Sequence, residues 1–171
     1  KNINNLIEKN ELSIAVIGLG YVGLPLAVEF GNKFNTVGFD INSRRISELI
    51  QQYDKTREVS KREFVKSKLI SFSDRKNSIQ NCDIFIITVP TPVDESNTPD
   101  LISLKSATRT VAKYIQQDSI IIYESTVFPG CTEEICVPIL EEISGLKYNK
   151  DFFCGYSPER INPGDREHKI T

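Results

Sequence analysis

The segment 14–23 is the feature that most constrains what this chain can fold into. Its apolar run 14–17 passes directly into the pattern G-x-G-x-x-G, formed by Gly18, Gly20 and Gly23, and then into a helix-compatible sequence. The first glycine permits a tight turn, the second lets the backbone approach a pyrophosphate, and the third lets the helix pack closely on the strand. The pattern predicts a phosphate-binding strand–turn–helix, although a purely structural turn can contain the same glycines.

A second predicted strand, Thr36–Asp40, strengthens the prediction of a dinucleotide site. Asp40 ends this strand twenty positions after the second glycine, where dinucleotide-binding units place the acid that binds the adenosine ribose. The alternative is that Asp40 caps a helix that begins near Asn42. A carboxylate here would repel an additional 2′-phosphate, which favours NAD over NADP. Arg44 and Arg45 leave that choice open, because a guanidinium can accommodate the phosphate.

Further apolar runs predict strands, and helical periodicity separates them. Strands are predicted at 84–89, 120–123 and 152–156, and their continuous apolar character indicates burial on both faces. Helices are predicted over 46–53, and over 104–115 with Ser103 as N-cap. The charged segment 54–70 is predicted to be a surface helix with Phe64, Val65 and Leu69 inward. A last helix is predicted over 132–143, where Pro138 delays or bends the helix and Gly145 follows as C-cap. The predicted fold class is α/β, a doubly wound, mainly parallel Rossmann-type sheet with helices on both faces.

Length and composition limit the class of protein. The 171 residues, 39% of them hydrophobic, are expected to form one domain, 1–171. The net charge of −2 gives no reason to bind nucleic acid or an acidic membrane, and no apolar run could span a bilayer, so a cytoplasmic location is expected. Four cysteines without C-x-x-C spacing and one histidine predict free thiols and no metal site. The absence of Met suggests a piece of a longer protein.

Loops that follow the predicted strands carry the candidate chemistry, because ligands of open parallel sheets bind beyond the carboxyl ends of the strands. The stiff turn Pro90–Pro92 offers the Thr91 hydroxyl, and the loop after 120–123 offers Thr126, to which we assign a positioning role because hydroxyls are weak bases. After 152–156, Glu159 is the candidate general base. The plain alternatives are a rigid connection and solvated surface charges.

Two other reactive side chains are given the plainer role. Cys131 opens a predicted helix, a setting that can stabilise a thiolate, but a small buried residue is the favoured interpretation. His168 lies among charged residues near the end of the chain and is interpreted as a solvated side chain.

Four blocks occur in order along the chain: GLGYVGLPLA, VPTPV, ESTVFPGCTEE and GYSPERINPGD. Together they resemble the N-terminal NAD-binding domain of the UDP-glucose/GDP-mannose dehydrogenase family, and they look most like the bacterial UDP-N-acetyl-hexosamine (GlcNAc or GalNAc) 6-dehydrogenases of surface-polysaccharide synthesis. The resemblance implies that Tyr21, Val22, Asp40, Arg45, Thr91 and Thr126 contact NAD, and that Glu159, Arg160 and Ile161 face the sugar.

The resemblance also implies a reaction. Members of this family oxidise carbon 6 of a UDP-sugar twice, from alcohol to carboxylate, using two NAD and one water. In relatives, the glutamate matching Glu159 serves hydrolysis of a thioester and the threonine matching Thr126 orients water. Pro163 stands where some UDP-glucose enzymes have a second glutamate, which favours a different substrate branch.

The family's nucleophilic cysteine and catalytic lysine belong to a later domain. The resemblance therefore implies a central helical domain and a C-terminal sugar-nucleotide domain beyond Thr171, a parent that is a homodimer or larger, and no turnover by this piece alone. A two-electron NAD-dependent hydroxy-acid dehydrogenase and a non-catalytic NAD-binding module remain alternatives.

Overall fold

Six parallel strands form one sheet in the computed structural model, which describes residues 3–92, 99–125 and 127–157. The strands are β1 (Ser13–Ile17), β2 (Asn35–Phe39), β3 (Ile70–Ser73), β4 (Ile84–Ile87), β5 (Ser119–Tyr123) and β6 (Phe152–Tyr156). They lie in the order β3-β2-β1-β4-β5-β6, and every neighbouring pair is parallel. Parallel neighbours require crossover connections, which the helices supply.

Helices cover both faces of this sheet. They are α1 (Ile3–Glu8), α2 (Gly23–Phe30), α3 (Ser43–Ile50), α4 (Lys61–Lys66), α5 (Ile102–Ala112) and α6 (Val137–Ser144). A 3₁₀ turn, Lys76–Ile79, precedes β4, and a π-helical turn, Thr132–Cys136, precedes α6. None of the helices in the described segments is long and apolar enough to cross a membrane.

The hydrophobic core is divided by the sheet into two clusters. Ala15 and Ile17 of β1 belong to the cluster that α5 and α6 complete, whereas Ile14 and Val16 belong to the cluster that α2, α3 and α4 complete. Successive side chains of a strand point to opposite faces, so β1 is buried from both sides. This arrangement confirms the predicted doubly wound α/β fold and explains the continuous apolar character of its central strands.

The prediction of one surface helix over 54–70 is wrong for most of its length. Only α4 within this segment is helical, and the chain then enters β3, which the sequence interpretation missed. Phe64 is buried as predicted, but Val65 and Leu69 are 58% and 44% exposed. The turn before α4 forms because Arg57 adopts a left-handed φ of +61° and Ser60 caps α4 in a capping box with Glu63.

The ends of α5 and α6 can be compared with the predicted helix caps and breakers. The predicted N-cap Ser103 is wrong, because α5 begins at Ile102, whose N–H donates to Asp100 Oδ1 over 2.8 Å. The delayed start at Pro138 is confirmed: the proline lies in the first turn of α6, where its missing N–H is harmless. Gly145, with φ +73°, ends α6 as predicted.

Burial predicts a large difference between two phenylalanines of the sheet. Phe85 in β4 is fully buried, whereas Phe153 on the edge strand β6 is 41% exposed. We expect Phe85→Ala to lower the free energy of unfolding by about 3–5 kcal/mol and Phe153→Ala by no more than about 1 kcal/mol. Urea unfolding followed by circular dichroism measures both. Equal losses would contradict the burial of Phe85 and the exposure of Phe153 in the structure.

Candidate functional site

The carboxyl ends of β1 and β4 bound the candidate site. The strand order changes direction between these two strands, since β1 is followed on one side by β2 and β4 on the other by β5. Such a reversal opens a crevice beyond the strand ends, where ligands of doubly wound sheets bind. The glycine-rich turn, residues 18–23, follows β1, and the segment 88–92 follows β4. Both therefore lie at this edge.

The three glycines of the glycine-rich turn occupy three different environments. Gly18 has φ +95°, a conformation that L side chains rarely adopt. Gly23 is the first residue of α2, and a Cβ there would overlap the Gly18 carbonyl oxygen and Thr88 Oγ1. Gly20 is exposed, and no heavy atom lies within 4 Å of the place where its Cβ would stand. The turn and packing roles are thus visible, and the open space at Gly20 fits a diphosphate lying against the backbone.

Asp40 is the first residue after β2 and lies beside the glycine-rich turn. Its Oδ2 accepts a hydrogen bond from Leu19 N over 2.8 Å, and its Oδ1 accepts one from Asn42 N over 2.9 Å. Each carboxylate oxygen has two lone pairs, so this partly exposed group retains acceptors for ribose hydroxyls. Asn42, not Asp40, is the N-cap of α3 and accepts from Arg44 N and Arg45 N. The helix-cap alternative for Asp40 is therefore wrong.

The two arginines of α3 differ sharply in exposure. The Arg45 side chain is only 10% exposed; its Nε donates to the Leu19 carbonyl over 3.0 Å, and its Nη2 lies 2.8 Å from Asp54 Oδ1. Arg44 is 86% exposed and pairs with Glu48 of the same helix over 3.5 Å. The charge of Arg45 is thus already paired with Asp54, whereas the Arg44 guanidinium stays largely exposed. The predicted contact of Arg45 with NAD stays a prediction.

Tyr21 and Val22 complete the candidate turn. Tyr21 is 52% exposed at the outer side of the turn, and Val22, partly buried, is the N-cap of α2. The N-terminal end of α2 points toward the same crevice, where its partial positive charge favours an anion.

Thr88 is a residue that the sequence interpretation missed. It is buried at the end of β4, and its hydroxyl oxygen lies 2.6 Å from the Gly18 carbonyl oxygen and 3.0 Å from that of Ile17. The hydroxyl donates into the start of the glycine-rich turn and so joins β4 to β1. The only sequence signal was a single threonine at the end of the apolar run Ile84–Ile87.

The loops after β4 and β5 are partly described. Thr91 is partly buried in the segment after β4, and its predicted contact with NAD stays a prediction. Ser125 is 3% exposed and donates to the Val89 carbonyl over 2.9 Å, so it connects the two loops rather than facing a ligand. The predicted site residues Thr126, Glu159, Arg160 and Ile161, with His168, lie outside the described residues.

The thiols are structural. Burial, followed by the neighbouring Cys136, raises the pKa of Cys131 to about 11, and burial raises the pKa of Cys82 and of Cys154 to about 12. These side chains are protonated near pH 7 and are poor nucleophiles, which agrees with the buried role favoured for Cys131. Among the described residues, no group of three or more His, Cys, Asp and Glu side chains is arranged to hold a metal ion.

The different environments of Gly20 and Gly23 predict different effects of an added methyl group. Gly23→Ala should lower the free energy of unfolding by about 1–3 kcal/mol or more, because the methyl group meets packed backbone. Gly20→Ala should change it by less than about 0.5 kcal/mol and yet weaken NAD binding, because the methyl group stands in the open space of the turn. Thermal unfolding and calorimetric titration test the pair; unchanged NAD affinity in Gly20→Ala would contradict the site.

The chain is similar to known nucleotide-sugar dehydrogenases. The chain is 56% identical over 161 residues to UDP-N-acetyl-D-glucosamine 6-dehydrogenase of Pseudomonas aeruginosa, covering 94% of this chain and 38% of that protein. It is 51% identical to the protein of the same name from Salmonella typhi, covering 95% and 38%. The solved structure of UDP-D-ManNAc dehydrogenase from Pyrococcus horikoshii superposes with a TM-score of 0.80 at 35% identity, covering 90% and 37%.

The family model for the NAD-binding domain of the UDP-glucose/GDP-mannose dehydrogenase family matches residues 12–170. The chain spans about 38% of the length of the curated relatives named above. The matched range includes the glycine-rich turn, Asp40 and Arg45. The chain therefore belongs to the UDP-glucose/GDP-mannose dehydrogenase family and corresponds to its NAD-binding domain.

Proposed function

We propose that this chain, 1–171, is the N-terminal NAD-binding domain of a nucleotide-sugar 6-dehydrogenase. The parent enzyme oxidises carbon 6 of a UDP-N-acetyl-hexosamine from alcohol to carboxylate in two steps. The observation that carries the proposal is that the open Cβ position of Gly20 and the Asp40 carboxylate, which lies 2.8 Å from Leu19 N, occur in the same turn region. The chain that contains them is 56% identical to a UDP-N-acetyl-D-glucosamine 6-dehydrogenase.

The described residues would divide the coenzyme between them. The glycine-rich turn and the N-terminal end of α2 would hold the diphosphate, since both offer backbone dipoles and Gly20 presents no side chain. Asp40 would accept hydrogen bonds from the adenosine ribose, and the exposed Ile41 beside it offers an apolar surface, 79% exposed. When bound, NAD supplies the acceptor for the hydride removed from carbon 6.

The names of the relatives support the proposed substrate class. The two curated relatives reported above are named for UDP-N-acetyl-D-glucosamine and are 56% and 51% identical, whereas a UDP-N-acetyl-D-mannosamine dehydrogenase of Pyrococcus horikoshii is 36% identical. We favour UDP-N-acetylglucosamine or its C4 epimer as substrate, with Glu159, Arg160 and Ile161 facing the sugar and Thr126 positioning water. The remaining domains, a homodimeric or larger parent, a cytoplasmic location and a role in surface-polysaccharide synthesis belong to the same proposal.

Coenzyme preference tests the role of Asp40. The chain should bind NAD more tightly than NADP, because the carboxylate accepts from ribose hydroxyls and repels a 2′-phosphate. Asp40→Asn should weaken NAD binding about 10- to 100-fold, as expected for a lost hydrogen bond to a charged group, and should reduce the discrimination against NADP. Titration calorimetry measures both ligands. The exposed Glu142→Gln in α6 removes the same charge far from the site and should change neither affinity. Equal binding of NAD and NADP by the unaltered chain would contradict the assignment.

Reaction stoichiometry tests the proposed activity in the full-length parent. Oxidation of an alcohol to a carboxylate removes four electrons, so two NADH should form for each UDP-sugar acid produced. The isolated 171-residue chain should bind NAD without producing NADH. One NADH per product, with an aldehyde or ketone released, would instead indicate a two-electron dehydrogenase. Binding of NAD by a parent that forms no NADH with any UDP-hexose would indicate a non-catalytic module.

A further inference from the structure

Leu19, between the first two glycines of the glycine-rich turn, is held at both of its backbone polar groups. Its N–H donates to Asp40 Oδ2 over 2.8 Å, and its carbonyl accepts from Arg45 Nε over 3.0 Å. Its side chain is 1% exposed and packs in the cluster of α2 and α3. The orientation of the two peptide groups that flank Leu19, one of which carries the N–H of Gly20, therefore depends on these two side chains.

Arg45 is itself held by Asp54 and Thr56, which belong to a separate turn outside the glycine-rich turn. Besides Leu19, its guanidinium contacts Asp54 Oδ1 over 2.8 Å and Thr56 Oγ1 over 3.5 Å, both through Nη2. Its Nη1 is buried and has no hydrogen-bond partner in the described part of the chain. The position of this buried guanidinium is thus set by three contacts, to the Leu19 carbonyl, to Asp54 and, over the longest distance, to Thr56.

Asp54 is fixed more firmly than Arg45. It is 8% exposed and accepts hydrogen bonds from Thr56 N, Thr56 Oγ1, Glu58 N and Val59 N, at 2.7–3.0 Å. Burial alone would raise its pKa, but the hydrogen bonds from the Thr56 hydroxyl, Val59 N–H, Arg45 and Thr56 N–H together lower the pKa below its ordinary value. Asp54 is therefore ionised at neutral pH and supplies Arg45 with a rigid counter-charge.

We infer that Asp54 is a positioning residue for the dinucleotide site, which acts through Arg45 on the Leu19 carbonyl. A guanidinium that loses its buried counter-charge must find another partner or move toward water, and either movement releases the Leu19 carbonyl. The peptide group between Leu19 and Gly20, whose N–H would face the diphosphate of a bound dinucleotide, then loses its fixed orientation. The choice of ligand rests on the proposed function, whereas the chain of contacts from Asp54 to Leu19 does not.

A double-mutant cycle separates action through Arg45 from a general effect on stability. The variants are Asp54→Asn, Arg45→Met, the two combined, and the charge-matched control Glu142→Gln, all made in the 171-residue chain. Calorimetry gives the dissociation constant for NAD at a temperature where circular dichroism shows each variant folded. Hydrogen exchange of the Leu19 and Gly18 amides, which are bonded to Asp40 and Phe39, reports on the turn without ligand.

We expect Asp54→Asn to weaken NAD binding about tenfold and to have little further effect when Arg45 is already Met, as coupled neighbours behave. The Leu19 and Gly18 amides should exchange faster, while the Ile121 amide in β5 and the control variant should stay unchanged. Additive losses in the cycle, or unchanged exchange at Leu19 in Asp54→Asn, would overturn the inference.

A milder variant keeps the test decisive if Asp54→Asn does not fold. Thr56→Val removes the hydroxyl that donates to Asp54 Oδ1 over 2.7 Å and accepts from Arg45 Nη2 over 3.5 Å. It should weaken NAD binding about 2- to 5-fold, less than Asp54→Asn does, because the charge of Asp54 stays beside Arg45. Unchanged binding in a folded Thr56→Val chain would count against the inference. If the unaltered chain binds no NAD, the proposed function fails, whereas faster Leu19 exchange in either variant would still support the contacts from Asp54 to the turn.

Discussion

The backbone of Leu19 is the point on which the candidate site depends. Asp40 holds its N–H and Arg45 holds its carbonyl, so the turn between β1 and α2 has a fixed shape before any ligand arrives. A preformed site avoids the entropy of ordering a loop at the moment of binding. Asp40 therefore has two roles: it fixes the turn that would contact the diphosphate, and its carboxylate offers the acceptors that would bind the ribose.

The sheet determines where the glycine-rich turn lies, and packing against Thr88 and α2 determines its conformation. Because the strand after β1 lies on one side of this pair and the strand after β4 on the other, the turn after β1 lies at the crevice, and Thr88, directly after β4, donates to the carbonyl of Gly18 at its start. Gly23 allows α2 to start within contact distance of both. Strand and helix thus pack closely around Gly18 and Gly23, whereas the space beside Gly20 stays open.

Sequence reasoning succeeded where a residue's role depends on its neighbours along the chain. The glycine spacing, the position of Asp40 after β2, and the effects of Pro138 and Gly145 follow from backbone geometry, and the structure confirms them in those local roles. It failed where tertiary contacts decide. The four-residue edge strand β3 is too short to show a period, and the partners of Arg45 are set by a turn that had been predicted as a helix. Thr88 carries no local signal, because its partners are 70 and 71 residues away.

A crystal structure of the chain with NAD tests the central claim most directly. The account predicts the adenosine ribose hydroxyls within ~3 Å of the Asp40 carboxylate oxygens and the diphosphate against the backbone of Gly20, with the contacts of Leu19 retained. A coenzyme bound away from the carboxyl ends of β1 and β2, or an Asp40 side chain that leaves Leu19 and contacts no ribose oxygen, would contradict it.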